Sequence, residues 1–304
     1  MTAVEERPDV AEATPEFEAL AARQERRRGL FYALPAYVYL IIFFAIPFAI
    51  VVVYSFATRT RTGGVELGDW NLDSYGRLWD EVIEGGIVRD VLVRSGGLAL
   101  LTTFLCLVIA YPFAYYITTR SPAVRNVMLA LVMIPFWTNF LVRNYAWRLI
   151  LANEGPLSNT TDTLGLGPTD ILFTNSAVVL GMVYAFLPFM VLPLYASIER
   201  IDRSLLEASR DLYGNSYQTF RHVTLPLSLP GVIAGSILVF VPSAGAYVTP
   251  AILGGNKNVL LGSYIVDQFG NARNFPFGAS LSVVLMVIML TATLVYFRSG
   301  GRNL

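Results

Sequence analysis

The sequence predicts an all-α polytopic membrane protein with six transmembrane helices, and three observations carry that prediction. Of 304 residues, 55% are hydrophobic and only 14% charged, with a mean hydropathy of +0.55, whereas soluble domains carry roughly 25% charged residues. The charges are clumped and leave uncharged windows at 29–58, 95–119, 126–142, 171–198, 222–256 and 274–297. These run 30, 25, 17, 28, 35 and 24 residues, against the ~20 apolar residues that cross a bilayer. Eleven of the sixteen prolines fall inside the windows. Proline deletes a backbone donor and kinks a helix. Lipid offers no replacement bond, so such breaks persist where neighbouring helices or a water-filled cavity satisfy the backbone.

The first window follows a polar tail that ends in Arg26-Arg27-Arg28. It is longer than the ~7–15 apolar residues of a signal peptide, so it reads as a retained span. The chain then divides into a tail, 1–28, and a transmembrane domain, 29–304. The second window is long enough alone. The third is short, and extending it to Leu151 places Arg143 and Arg148 near its outer end, where they either anchor at the interface or line a path. The fourth is a full span. The first part of the fifth, from His222 to about Leu229, belongs to the preceding loop and leaves one span rather than two. The sixth ends the chain. An even count puts both termini on one side. On that side, segments 1–30, 119–126, 199–228 and 298–304 hold 13 Lys/Arg, against 6 in 57–89, 152–174 and 252–276. The positive-inside bias makes both termini cytoplasmic.

Rare residues exclude whole chemistries. One histidine (His222) and one cysteine (Cys106) are too few for a disulfide or a zinc site. The one lysine, Lys257, lies in Gly254-Gly255-Asn256-Lys257-Asn258 and does not fit a Walker A loop. Neither G-x-S-x-G nor H-E-x-x-H occurs, so no catalytic residue and no metal site is assigned. A proton- or sodium-driven transporter is the competing class, but such proteins place ionisable residues at mid-membrane, and the windows contain none.

The loop at about 199–228 carries the specific signal. It reads as two short helices. Asp202 or Ser204 can cap the first, and Leu205, Leu206, Ala208, Ser209 and Leu212 give it a small or apolar face beside polar Glu207, Arg210 and Asp211. Gly214 can close it in the left-handed conformation. Ser216 can cap a second helix that ends before Leu225-Pro226. Taken by itself, Ser204-x-x-Glu207 also fits an ordinary capping box.

This loop resembles that of the membrane permease subunits of binding-protein-dependent ABC importers, whose pattern is E-A-A-x-x-x-G, nine residues, then I-x-L-P. Glu207-Ala208-Ser209 fills the first positions, and Val223, Leu225 and Pro226 fill the last. Ser209 replaces the second alanine, and Tyr213 occupies the glycine position with Gly214 one place later. Beyond the loop, Trp70-Asn-Leu-Asp-Ser-Tyr, Ile134-Pro-Phe-Trp-Thr-Asn, Leu187-Pro-Phe-Met-Val-Leu-Pro-Leu-Tyr-Ala-Ser-Ile-Glu and Asn274-Phe-Pro-Phe-Gly-Ala are similar to the first permease subunit of spermidine/putrescine-type importers. Importers of other small organic cations, amino-acid-like compounds or metal complexes share parts of the pattern.

The resemblance implies a type I importer permease fold in a bacterial inner membrane. It also implies a second permease subunit forming a heterodimer, an ATPase dimer that carries ATP and Mg, and an extracytoplasmic binding protein. No cofactor and no nucleic acid is expected on this chain. In that setting Glu207 would anchor the ATPase contact, Ala208 and Ser209 would allow close approach, and Arg210 and Asp211 would be local polar partners. With no carboxylate in the windows, a cation in the path would rest on the partner, on carbonyls freed at prolines, or on aromatic faces. Phe136, Trp137, Tyr145, Tyr184 and Tyr247 are the candidates, beside the alternative of packing and an interfacial belt. Asn139 either lines the path or bonds to a neighbouring helix.

Overall fold

A computed structural model describes residues 32–60, 64–68, 70–165, 167, 169–255 and 258–300. The tail with Arg26-Arg27-Arg28, and Lys257, lie outside the described residues. Among those described, five helices are long and apolar enough to span a membrane, and a sharply bent pair makes a sixth.

The first span, α1 (Tyr32–Ser55), contains a π-helical turn at Ile41–Ala45, where the Ile46 N–H donates to the Ile41 carbonyl. Pro47, just beyond, has no N–H to give, and a wider turn absorbs the mismatch. After α1 come a short antiparallel pair, β1 (Thr58–Arg59) with β2 (Val65–Glu66), and the amphipathic helix α2 (Asp73–Ile83). Asn71 fastens this connection: its side chain donates to Thr58 Oγ1 at 2.9 Å and its N–H to the Phe56 carbonyl at 2.9 Å.

The second span, α3 (Ile87–Thr118), starts eight residues before its uncharged window and so carries Arg89, Asp90 and Arg94 in its first two turns. The fourth, α7 (Asn175–Glu199), begins at a Thr174 cap. The fifth, α9 (Ser216–Ala244), differs from the expectation. The helix does not end before Leu225-Pro226; it passes through a π-helical turn, Phe220–Thr224, directly into the span. Pro226 again follows the turn, so the helix widens rather than stops. A further π turn, Pro250–Gly254, is followed by α10 (Leu261–Gly270) and the sixth span, α11 (Phe275–Gly300).

The third window breaks. Helices α4 (Pro122–Trp137) and α5 (Phe140–Ile150) meet at 89°, and α6 (Pro156–Thr163) follows. Extension of one straight span to Leu151 is therefore replaced by a corner.

Helices α3, α7 and α9 form the central core. Cys106, Ala110, Ala114 and Ile117 of α3 meet Met190, Val191, Leu194 and Ile198 of α7 and Val239 of α9. Without a hydrophobic drive inside lipid, helices associate by close packing of small residues and by interhelical hydrogen bonds. Both occur here: Tyr111 and Ser228 hydroxyls lie 2.7 Å apart. A Cβ on Gly231 would fall 2.6 Å from the Pro193 carbonyl oxygen and 2.4 Å from Ser197 Cβ, and one on Gly235 2.7 Å from Met190 Sδ. At the end of the core away from the 199–216 loop, a second cluster joins Leu78 of α2, Val88 and Val91 of α3, Leu261 of α10 and Phe277 and Leu281 of α11.

Gly231→Val should force α7 and α9 apart, an overpacking of about 1–3 kcal/mol, and lower the melting temperature of the detergent-purified protein. Gly96→Ala, in a helix position with nothing within 4 Å, should leave it unchanged.

Candidate functional site

The loop between α7 and α9 is built as a rigid hairpin. Helix α8 (Arg203–Asp211) starts at Asp202, whose carboxylate accepts the Ser204 N–H at 3.0 Å. That backbone bond, together with the Ser204 hydroxyl, holds the Asp202 carboxyl below the usual carboxylate range. Of the two expected caps, Asp202 is the one used.

The closing turn differs from the expectation. Tyr213, not Gly214, is left-handed, at φ +60°. The Gly214 N–H then donates to the Ser209 carbonyl at 2.9 Å, the bond of a Schellman motif. Gly214 serves close approach instead, because a Cβ there would lie 2.5 Å from that same oxygen. Tyr213 thus stands in the motif's glycine position with a glycine's conformation. The second helix is capped by Asn215 rather than Ser216: Asn215 Oδ1 accepts from the Gln218 N–H at 2.8 Å, and Gln218 Oε1 accepts from the Asn215 N–H at 2.9 Å. Asn215 can do this because its planar amide oxygen reaches the N3 donor while Gln218 reaches back.

The hairpin's arms are joined by their side chains, with the Ser209 and Thr219 hydroxyls 2.9 Å apart. Ser209 is half-buried, whereas Glu207, Ala208 and Asp211 are exposed. The Arg210 side chain lies outside the described residues. Leu212 is 82% exposed and Tyr213 96%, so the rigid turn presents two large apolar side chains. A polar cleft of about 320 Å³ borders the loop, lined by Leu206 and Glu207 of α8, Tyr115 and Thr118 of α3 with Thr119 just after it, Arg125 of α4 and Glu199 of α7. Arg125 pairs with Glu199. Neither residue was singled out from the sequence; they are 74 positions apart, and no local spacing announces such a pair.

At the corner of the broken span, Asn139 has a local role. It caps α5, accepting from the Leu141 and Val142 N–H groups at 2.9 and 3.3 Å. A sharp corner leaves α5's first donors unpaired, and the nearest short polar side chain answers them. Arg143 donates to the Pro135 carbonyl at 3.0 Å, as does the Thr138 hydroxyl at 2.7 Å. Its guanidinium also lies 5.5 Å from the Phe140 ring and 6.0 Å from that of Tyr184.

The aromatic candidates do not form one cage. Phe136 meets Phe189 edge-on at 5.2 Å, and Tyr184 meets Trp147 at 5.4 Å. Tyr184 also borders two apolar grooves of about 520 and 700 Å³ beside α3 and α7. Trp137, at 80% exposure, and Tyr145 stand out from the corner, and exposed Tyr247 follows α9.

Comparison with known proteins places this geometry. Residues 19–301 match the family described as the binding-protein-dependent transport system inner membrane component. The chain is 41% identical over 264 residues to the spermidine/putrescine transport system permease protein PotB of Escherichia coli, covering 86% of this chain and 94% of that one. It is 39% identical to the protein of the same description from Haemophilus influenzae, over 86% and 90% of the two chains. In fold it is similar to a chain of a bacterial ABC transporter involved in import of the acidic polysaccharide alginate, with a TM-score of 0.68 over 91% of this chain and 98% of that one, at 16% identity.

A non-glycine residue in the left-handed region costs about 1–2 kcal/mol. Tyr213→Gly should therefore raise the melting temperature of the purified protein, while Gly214→Ala should lower it.

Proposed function

Because this chain belongs to the family of binding-protein-dependent transport system inner membrane components, we propose that it forms half of a polyamine path, with spermidine or putrescine as the solute. The observation that carries the solute class is the 41% identity to a spermidine/putrescine permease across 94% of that protein's length. The other half of the path is a second, different permease subunit. An ATPase dimer supplies ATP and Mg, and an extracytoplasmic binding protein delivers the solute.

Helix α8 is the element that docks into the ATPase. Its support is physical: capping at both ends, a hydroxyl bridge between its arms and an outward face of Ala208, Leu212 and Tyr213 beside Glu207. A short, braced helix passes on a push, whereas a frayed loop absorbs it. Glu207 anchors the docked face, Ala208 lets the ATPase approach, and Asp211 and Arg210 are its polar flanks. Ser209 serves inside the loop, through Thr219. Both termini and α8 lie in the cytoplasm, in keeping with the lysine and arginine bias between the two sets of loops.

In the path, Trp137 and Tyr145 at the exposed corner and Tyr247 after α9 are free to offer aromatic faces to an ammonium group, each good contact giving ~0.5–2 kcal/mol. Phe136 and Tyr184 contribute through packing. Asn139 and Arg143 shape the corner on which these rings stand. A chain with no carboxylate in its uncharged windows leaves high-affinity capture to the binding protein.

Two measurements in the reconstituted complex test this. Spermidine- or putrescine-loaded binding protein should stimulate ATP hydrolysis; stimulation by another solute alone would reject the polyamine. Glu207→Leu should cut uptake roughly tenfold or more, the scale of losing one interface anchor, with the permease still in the membrane. Normal uptake by that variant would reject docking through α8.

A further inference from the structure

Helix α4 is held lightly. It has no fully buried residue; Met128, Leu129 and Val132 pack only on the edge of the core, and Phe136 touches Phe189 edge-on. Among the described residues, one α4 side chain makes polar contacts with another helix. Arg125, in the first turn, donates from Nη1 to Glu199 Oε1 and to the Tyr195 hydroxyl at 3.3 Å, with its guanidinium 5.9 Å from the Tyr195 ring. The Arg125 side chain is 18% exposed, and its Nε is buried without a partner. Pulling the pair apart would strand a largely desolvated cation, so the two ends resist separation.

Glu199 is the last residue of α7, and α8 begins four residues later. Ile198, just before Glu199, is buried, and Ile201, between Glu199 and α8, packs on the core, so the junction is short and seated. At its other end α4 carries Phe136 and Trp137 and the corner clasped by Arg143. One helix therefore links the docking loop to the aromatic corner, tied to the loop by a single ion pair.

We infer that Arg125 and Glu199, steadied by Tyr195, make α4 move with α8, so that Arg125 is a positioning residue for coupling. A displacement of α8 then reaches the corner through the last turns of α7, where both of Arg125's partners stand. This rests on α8 being the ATPase-docking element.

The test uses the complete complex, with the partner permease, ATPase and binding protein. Cys106 is the single cysteine and is buried, so spin labels can go on cysteines introduced at exposed Val124 of α4 and Ser204 of α8. The label-to-label distance should be the same without nucleotide and with a non-hydrolysable ATP analogue. In Arg125→Glu it should differ between the two states, and in Arg125→Glu with Glu199→Arg the constancy should return. Spermidine uptake should fall roughly tenfold in each single reversal, within the range of coupling between sites, and recover in the double reversal, with the ATPase co-purifying throughout. If Arg125→Glu does not accumulate, Arg125→Gln should show the same loss of constancy.

A wild-type distance that changes with nucleotide would overturn the tie. So would wild-type uptake by Arg125→Glu, or no recovery in an assembled double reversal. Failure of the ATPase to co-purify even with the wild-type permease would overturn docking through α8, and the tie with it.

Discussion

The hairpin that carries α8 is rigid because the two spans holding it touch nearly backbone to backbone. At Gly231 there is no room for a Cβ beside the Pro193 carbonyl and Ser197. That approach sets the separation of α7 and α9 just inside the loop. The brace that joins the loop's two arms, the Ser209–Thr219 hydroxyl pair, depends on that separation. A bulkier α7–α9 seam would leave those hydroxyls reaching across a gap.

Proline sets the second pattern. In hydrocarbon a freed carbonyl has no water to turn to, and three of this chain's prolines show two answers. Before Pro47 and Pro226 the helix widens into a π turn and continues. Beyond Pro135 it turns a corner instead, and the orphan groups are met by side chains: Thr138 and Arg143 on the Pro135 carbonyl, Asn139 on the first donors of α5. The same composition thus yields continuous spans at two places and a break at a third.

Much of this was legible in the sequence. Charge-free length locates all six hydrophobic segments, because the cost of burying charge in lipid is large and one-directional. The two short helical stretches of the 199–228 loop were legible in outline too, since caps and small residues act over three or four positions. What was not legible depends on partners distant in the chain or on competition between adjacent candidates. Asn215 won over Ser216, and Tyr213 took the conformation expected of Gly214, by margins of about a kilocalorie that neighbouring geometry decides. Arg143 read as an anchor or a path residue, and nothing in its own segment says that a carbonyl eight residues back lies within reach. Arg125 and Glu199 carried no signal at all, being joined only by the fold.

The corner in the third span has a consequence for the surroundings of the protein. Helix α4 has 16 residues, or about 24 Å at 1.5 Å per residue, against a hydrocarbon thickness of ~30 Å. Helix α3, with 32 residues, is about 48 Å long by the same measure. The uncharged stretch of α3, 95–118, is about 36 Å by the same measure. Lipid meeting α4 has to thin, at a modest cost for each ångström of mismatch, unless another chain covers that helix.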